Sequence, residues 1–242
     1  MRRFYAPPEN FQKDTVILDP EQTRHLARVL RLGVGEKVEV CDGAGRNVEA
    51  RVAGLDPKGA QLQVLRELAS WGESSLRLVL GLGLAKGEAV EGVIRQATEM
   101  GVQEIIPFQS ERSERVTPER AGRRRERWQR LAREIIKSCQ RSVLPEIAAV
   151  QDFAAVLAGP EETKLLFWEE ERGGGLKSCL SRPRPASARV LIGPEGGFAV
   201  TEVDRAREAG FQVVSLGPRR LKVETAALAA LTLLQYAWGD LA

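Results

Sequence analysis

The sequence predicts an α/β protein in which a small, mostly β-structured N-terminal region precedes a larger domain with a mostly parallel sheet. Residues 37–41, 48–52 and 61–65 alternate polar and apolar side chains between glycine-containing turns, which favours a compact barrel or sandwich. The continuous apolar run over residues 76–84 is typical of a strand buried on both faces of a parallel sheet. After this run, strand-like and helix-like segments alternate, which indicates an α/β domain.

The other elements are predicted from apolar spacing and from helix caps. Helical spacing predicts helices over residues 20–32, 88–100, 201–209 and 224–238, and one more that opens at Thr117 and Pro118. Thr201 with Asp204 is predicted to form a capping box. Further strands are predicted over residues 103–108, 164–168, 189–192 and 211–215. Glycine and serine over residues 68–75 mark a boundary, which predicts domains over residues 1–70 and 71–242.

Composition restricts the class of protein. Of the 242 residues, 43% are hydrophobic and 29% are charged, with a net charge of +3, as in ordinary globular proteins. Three widely separated cysteines and one histidine make neither a metal-ligand pattern nor a disulfide framework, so we expect no metal. The N terminus lacks a signal-peptide pattern and no apolar run is long enough to cross a bilayer. We therefore expect a cytoplasmic protein with no membrane partner.

Positive charge is concentrated in one part of the chain. Residues 112–141 contain eleven Arg or Lys residues and four Glu residues, a local net charge of +7. This pattern favours a surface for a polyanion, although a solvated helix face would produce the same pattern. Arg24, Arg28 and Arg31 have helical spacing, which predicts one exposed stripe able to bind phosphates, with simple solubility as the alternative.

Three of the predicted strands end in loops of unusual composition. These loops are residues 168–170, 193–198 and 216–221. In open α/β sheets, ligands bind beyond the carboxyl ends of the strands. The sequence therefore predicts that the three loops meet at one ligand site.

The middle loop restricts the kind of ligand. Gly193-Pro194-Glu195-Gly196-Gly197 matches neither the dinucleotide fingerprint nor the phosphate loop of nucleotide-binding proteins. A carboxylate at Glu195 would repel a pyrophosphate, which disfavours an enzyme that acts on nucleotide phosphates. A nucleotide-like ligand without phosphates fits better, such as S-adenosylmethionine, and the glycines would let the backbone approach its adenosine. An ordinary turn that opens a helix remains the alternative.

Several motifs of this chain occur together in one known family. The strongest are residues 191–198 and 216–221 with Glu224-Thr225-Ala226, supported by residues 99–102, Pro107, residues 111–113, and Arg24-His25-Leu26 with Val29-Leu30-Arg31. With these motifs the chain resembles, nearly end to end, the bacterial 16S ribosomal RNA uridine N3-methyltransferases of the SPOUT superfamily. The resemblance implies methylation of uridine N3 in 16S rRNA of the small ribosomal subunit, of the uridine 1498 type.

The same resemblance implies a fold and partners. It implies a small PUA-like β-barrel that helps to bind RNA, followed by a knotted SPOUT α/β domain with a mostly parallel sheet and a C-terminal trefoil knot. S-adenosyl-L-methionine would bind in the knotted loops, and the protein would be a homodimer. The apolar surface of the last helix, larger than one buried stripe needs, also suggests a partner copy.

Site residues follow by position from the family motifs. The implied cofactor-binding residues are Phe167, Trp168, Glu169, Leu191, Ile192, Gly193, Pro194, Glu195, Gly196, Gly197, Leu216, Gly217, Leu221, Glu224, Thr225 and Ala226. The RNA-binding candidates are Arg24, Arg28, Arg31, Arg112, Arg123, Arg124 and Arg141. The catalytic candidates are Arg112, Glu195 and Lys222. Two positions depart from the family pattern: Lys137-Ser138 replaces a Glu-Gln pair, and Lys222 replaces an arginine.

Two other functions stay open. One is a SPOUT methyltransferase with another RNA target, such as a ribose hydroxyl or a different base. The other is a non-catalytic RNA-binding factor for ribosome assembly that keeps the scaffold and not the chemistry. The glycine loop argues against the second, because such a factor has no need of a cofactor site.

Overall fold

The computed structural model describes residues 1–173 and 175–241 and divides the chain into two compact units. The first unit consists of Met1–Glu73 and Arg133–Leu144. The second consists of Ser74–Ala132 and the chain from Pro145 onward. The domain boundary between residues 70 and 71 stays a prediction, since a division by compactness does not test it.

The first unit contains a five-stranded sheet. Its strands are β1 (Arg3–Tyr5), β2 (Thr15–Ile17), β3 (Lys37–Cys41), β4 (Asn47–Asp56) and β5 (Gly59–Leu68). Their order is β1-β3-β4-β5-β2, with β1 parallel to β3 and the other pairs antiparallel. The three alternating strands predicted from the sequence are confirmed. The two short strands were not predicted, because three residues are too few to show a period of two.

The predicted helix over residues 20–32 is wrong in its second half. An α-helix, α1 (Pro20–Arg24), is followed by a π-helical turn over His25–Val29, in which Leu30 N–H donates to the His25 carbonyl at 3.0 Å. This wider turn shifts the side-chain register, and Arg31 lies beyond it at φ +55°. The three arginines of this region are exposed, but they do not share one helical stripe.

The second unit contains a parallel sheet of seven strands. They are β6 (Arg77–Gly83), β7 (Glu104–Gln109), β8 (Glu146–Ile147), β9 (Gln151–Asp152), β10 (Thr163–Phe167), β11 (Ser187–Ile192) and β12 (Gln212–Val214). The order is β12-β10-β11-β6-β7-β8, and β9 also pairs with β7. All of these pairings are parallel, which confirms the predicted α/β class with a mostly parallel sheet.

Helices follow the strands of this sheet along the chain. They are α2 (Ala89–Glu99), α3 (Pro118–Cys139), α4 (Phe153–Leu157), α5 (Leu176–Leu180), α6 (Val200–Glu208) and α7 (Val223–Trp238). The four longer helices were predicted from apolar spacing and are confirmed. The five-residue helices α4 and α5 were not predicted, because each has little more than one turn over which a stripe can be recognised.

The predicted capping box at α6 is wrong. The helix begins at Val200, so Thr201 lies inside it. The buried carboxylate of Glu202 caps the helix instead, because it accepts a hydrogen bond from Ala199 N–H at 3.0 Å. The same carboxylate accepts a second bond from Glu111 N–H at 2.8 Å, so it ties the segment after β7 to the start of α6.

A buried ion-pair network stabilises one edge of the second unit. The Glu161 carboxylate accepts from Arg189 Nε at 2.7 Å and from Arg77 Nη1 at 2.9 Å. Arg189 also donates to the carbonyls of Val156 and Ala158 at 2.8 and 2.6 Å. Burial by itself raises the pKa of Glu161, but the hydrogen bonds and charges of the arginines outweigh it and hold the pKa below its ordinary value.

Two further properties concern the described residues, 1–173 and 175–241. Among these residues, no helix is both long enough and apolar enough to cross a membrane. They also hold no group of three or more His, Cys, Asp or Glu side chains placed to bind a metal ion.

Candidate functional site

Four loops at the carboxyl ends of adjacent strands surround a cavity of about 1000 Å³ in the second unit. The loops follow β6, β10, β11 and β12. Because these strands are parallel and adjacent, all four loops emerge at the same edge of the sheet. The three loops predicted to meet therefore do meet, and the loop after β6 joins them.

Nearly all of the predicted cofactor residues line this cavity. The lining ones are Phe167, Trp168, Glu169, Ile192, Gly193, Pro194, Glu195, Gly196, Gly197, Leu216, Gly217, Leu221, Glu224 and Ala226. Leu191 does not line it, because the side chain of Leu191 is fully buried and is directed at Gly81 of the neighbouring strand. Thr225 does not line it either and is exposed on α7.

The cavity also has lining residues that were not among the predicted cofactor-binding or catalytic residues. They are Lys86, Glu88, Ala89, Phe198, Ser215, Arg219, Arg220 and Val223. A sequence signal for the first three was available, since residues 76–84 were predicted as a central parallel strand. The rule that ligands bind beyond carboxyl ends would have included the segment that follows it.

We call residues 193–197 the glycine loop, and each of its glycines is close to another part of the protein. A Cβ atom on Gly193 would lie 3.1 Å from the Phe198 ring, and one on Gly196 would lie 2.9 Å from Arg112 Cβ. A Cβ on Gly197 would overlap the Glu169 carboxylate, and the φ angle of Gly197 is +67°. These glycines are thus needed for packing within the protein, whereas their predicted approach to a ligand stays a prediction.

The carboxylate of Glu195 connects two loops of the cavity. It accepts a bifurcated hydrogen bond from Lys86 N–H, with distances of 3.0 and 3.3 Å from the nitrogen to the two oxygens. Glu195 is exposed and lines the cavity, so its remaining acceptor positions can face a ligand. One side chain therefore both holds the loop after β6 against the glycine loop and presents negative charge at the site.

Comparison with known proteins decides the family. A family model described as an RNA methyltransferase domain matches residues 72–235, and one described as an RNA methyltransferase PUA domain matches residues 18–65. The chain belongs to this RNA methyltransferase family. The family predicted from the sequence motifs is therefore confirmed.

Relatives of this RNA methyltransferase match over nearly the whole chain. The ribosomal RNA small subunit methyltransferase E of Synechocystis is 35% identical over 95% of this chain and 75% of its own length. The Bacillus subtilis protein of the same name is 28% identical over 92% of this chain and 90% of its own length. A crystal structure of this methyltransferase from Neisseria gonorrhoeae, bound to S-adenosyl methionine, superposes with a TM-score of 0.90 at 32% identity and covers both chains completely.

Of the two basic catalytic candidates of this RNA methyltransferase, Lys222 lines the cavity and Arg112 does not. Arg112 is exposed, and its Nη1 donates to the carbonyls of Gly196 and Phe198 at 3.2 and 3.4 Å. Its guanidinium is therefore held against the glycine loop. Lys222 is exposed, lines the cavity and immediately precedes α7.

The RNA-binding candidates of this methyltransferase have three kinds of environment. Arg141 is only 2% exposed and forms a two-point ion pair with Glu73, so its guanidinium is not on the surface. Arg123 and Arg124 of α3 pair with Glu119 and Glu114. The remaining exposed candidates are Arg24, Arg28, Arg31 and Arg112.

Proposed function

We propose that this RNA methyltransferase is a cytoplasmic enzyme that transfers a methyl group from S-adenosylmethionine to N3 of a uridine in 16S rRNA of the small ribosomal subunit, of the uridine 1498 type. The observation that carries the proposal is the cavity built on the glycine loop, in a chain that belongs to this family. The related enzyme from Neisseria gonorrhoeae, with S-adenosyl methionine bound, supports the choice of cofactor.

The cavity has the size and the chemistry for this cofactor. Its volume of about 1000 Å³ lies at the upper end of the range of roughly 300–1,000 Å³ for small-molecule sites. The carboxylates of Glu169, Glu195 and Glu224 line it and suit a ligand with a sulfonium and an amine. Trp168 also lines it, and its buried indole N–H has no acceptor in the described part of the chain, so a ligand atom could accept there.

We also propose the finer features of the fold that the family resemblance implies. The loops after β11 and β12 would form a C-terminal trefoil knot, and the first unit would close into a PUA-like barrel with domain limits at residues 1–70 and 71–242. The match of the PUA model to residues 18–65 supports the nature of the first domain. The adjacency of these loops around one cavity is compatible with the knot.

The chemical problem is that N3 of uridine carries a proton at neutral pH. The bound cofactor would supply the methyl group, activated on a sulfonium cation. A cation near O2 or O4 stabilises the anion that forms when the proton leaves, which is work that Arg112 and Lys222 can do. Glu195 has free acceptor capacity at the cavity and can remove the proton or balance the positive charge of the ligand.

Glu195→Ala is expected to lower methyl transfer at least about tenfold, equivalent to ~1.4 kcal/mol, without unfolding the protein. It removes both the carboxylate and the acceptor for Lys86 N–H. Glu195→Gln keeps a carbonyl acceptor for that N–H and removes the charge, so it separates chemistry from loop positioning. Single-turnover rates and circular dichroism of both variants give the comparison.

A Glu195→Gln variant that is as slow as Glu195→Ala assigns the effect to the charge. A Gln variant at the wild-type rate, with a slow Ala variant, assigns the effect to the contact with Lys86 instead. Wild-type turnover in both variants removes Glu195 from the mechanism.

The proposed reaction is tested by incubating the enzyme with labelled S-adenosylmethionine and small subunits that lack the modification, followed by mapping of the methylated nucleotide. Methylation at uridine N3 is the expected result. Methylation of another atom or nucleotide would indicate another RNA target. Absence of cofactor binding in calorimetry, with no transfer to any rRNA preparation, would contradict the enzyme and favour the assembly factor.

We propose that the enzyme is a homodimer that uses α7. Leu228, Leu233 and Tyr236 of this helix are 37%, 36% and 67% exposed, which is an unusual amount of apolar surface for one helix. Light scattering at micromolar concentration is expected to give about twice the chain mass of 26.6 kDa. A value near the mass of one chain would contradict the dimer.

A further inference from the structure

We propose that RNA phosphates on either side of the target nucleotide bind at the opening of the cavity, on Lys86, Arg219, Arg220 and Lys222, and not on the basic helix α3. We call these four residues the mouth cations. All four line the cavity and are exposed, so their charges lie where the cavity meets solvent. The proposal rests on the proposed function, because it requires an RNA nucleotide as the substrate.

Four of the seven arginines of α3, which are Arg120, Arg123, Arg124 and Arg127, form ion pairs with carboxylates. Arg120 and Arg124 pair with Glu114 at 3.8 and 2.9 Å, and Arg127 pairs with Glu91 at 2.8 Å. A phosphate that bound these arginines would compete with carboxylates that lie beside them and that already hold one donor each of Arg124 and Arg127. The charge cluster that suggested a polyanion surface in the sequence therefore offers less to RNA than its net charge implies.

The mouth cations, in contrast to these arginines of α3, lack carboxylate partners in the described part of the chain. Over residues 1–173 and 175–241, their charged groups make no hydrogen bond or ion pair with another side chain. Their donors are therefore available, and arginine is well suited to phosphate because its planar fork can make two parallel hydrogen bonds. Two adjacent arginines with Lys222 in the same segment and Lys86 on the loop after β6 can contact more than one phosphate of a strand.

Local structure presents these charges at the opening. In the segment after β12, the Ser215 hydroxyl accepts from Gly217 N–H and donates to the Gly217 carbonyl, both at 3.2 Å, which fixes the turn that precedes Arg219. In the described part of the chain no side chain caps α7, so the N–H groups of its first turn add positive potential beside Lys222.

Carboxylates also line the cavity, and most of them are engaged or withdrawn from solvent. Glu169 and Glu224 are only partly exposed, and Glu195 accepts from Lys86 N–H. Glu88 and Glu195 are exposed. Four cations and two carboxylates are thus exposed at the cavity, so its solvent side has a net positive charge, as a polyanion requires. Glu169 and Glu224 place negative charge deeper, as a cationic cofactor requires.

The test compares two double variants that remove the same charge. Arg219→Gln with Arg220→Gln removes two mouth cations, and Arg120→Gln with Arg127→Gln removes two exposed, ion-paired arginines of α3. The probe is 16S rRNA transcribed in vitro, which carries no methyl groups. Its affinity for the full-length protein is measured across a range of salt concentrations, and cofactor affinity is measured by calorimetry.

For the mouth variant we expect the slope of log affinity against log salt to fall by about 1.4, at roughly 0.7 for each lost contact with a single strand. RNA affinity should fall at least about tenfold at 0.1 M salt. The α3 variant should keep the wild-type slope and the wild-type cofactor affinity.

Three results would overturn the assignment. They are an unchanged slope in the mouth variant, an equal or larger loss in the α3 variant, or a loss of cofactor affinity in the mouth variant, which would assign the arginines to the cofactor. Failure of the wild type itself to bind the transcript would count against the proposed function, so the two failures are distinguishable.

Discussion

Gly83→Ala is expected to lower the affinity for S-adenosylmethionine at least about tenfold, or ~1.4 kcal/mol, and to destabilise the fold by about 1–3 kcal/mol. Gly83 is the last residue of β6, and a Cβ atom there would lie 2.6 Å from both the N and the Cδ of Pro194. These atoms belong to the backbone and to a rigid ring, so no side-chain rotation relieves the overlap. The glycine loop must therefore move away from β6, and the cavity changes shape with it.

Calorimetry with the cofactor and urea denaturation measure the two effects. Gly122→Ala is the matched control, because Gly122 lies in α3 and a Cβ there would contact nothing within 4 Å. The control should keep wild-type cofactor affinity and gain about 0.5–1 kcal/mol of stability, since alanine favours a helix over glycine. Unchanged cofactor affinity in Gly83→Ala would mean that the position of the glycine loop does not determine binding.

Glu161→Gln is expected to destabilise the protein by about 3–5 kcal/mol, because it leaves the buried guanidinium of Arg189 without a counter-charge. The Glu161 side chain is only 1% exposed and that of Arg189 only 6%, so water cannot replace the lost partner. The thermal midpoint should fall by at least about 6 °C, at roughly 2–4 °C for each kcal/mol in a protein of this size. Glu99→Gln, an exposed change at the end of α2, is the control and should shift it little.

The difference in stability between the wild type and Glu161→Gln should depend on pH, because the pKa of Glu161 is lowered in the folded protein. A group whose pKa is lower in the folded state stabilises the protein fully above its unfolded pKa, here about 4.3. The stabilisation is lost as the pH falls through the folded pKa, because the carboxyl group then binds a proton. We expect the wild type to exceed Glu161→Gln in free energy of unfolding by a constant amount from about pH 5 to 7. This difference should become smaller below pH ~4. A difference in free energy of unfolding that stays constant down to the pH of acid unfolding would contradict an ionised Glu161 paired with Arg189.

Local patterns were sufficient to predict most elements of the second unit. The run over residues 76–84 contains β6, and apolar stripes predicted α2, α3, α6 and α7. Such patterns arise because burial on one face or on both faces repeats with the geometry of the element. The elements that were missed, such as α4 and β2, are shorter than the repeats that would reveal them.

Side-chain environments were predicted less well than elements. Arg141 and Arg124 were grouped with the RNA-binding residues by charge and by position in motifs. The structure pairs Arg141 with Glu73, 68 residues away, and Arg124 with Glu114. Lys86, whose backbone N–H binds the Glu195 carboxylate 109 residues away, was not among the predicted site residues.

The sequence by itself determined the α/β class, the three loops of the site and the family, because these depend on local periodicity and on contiguous motifs. Only the tertiary structure decided which glycines pack against which groups, which arginines are neutralised, and that the loop after β6 completes the cavity. Those outcomes depend on which charges and backbones come together across long stretches of chain. The energies of such contacts are set by distance and burial, and neither can be read from the spacing of residues along the chain.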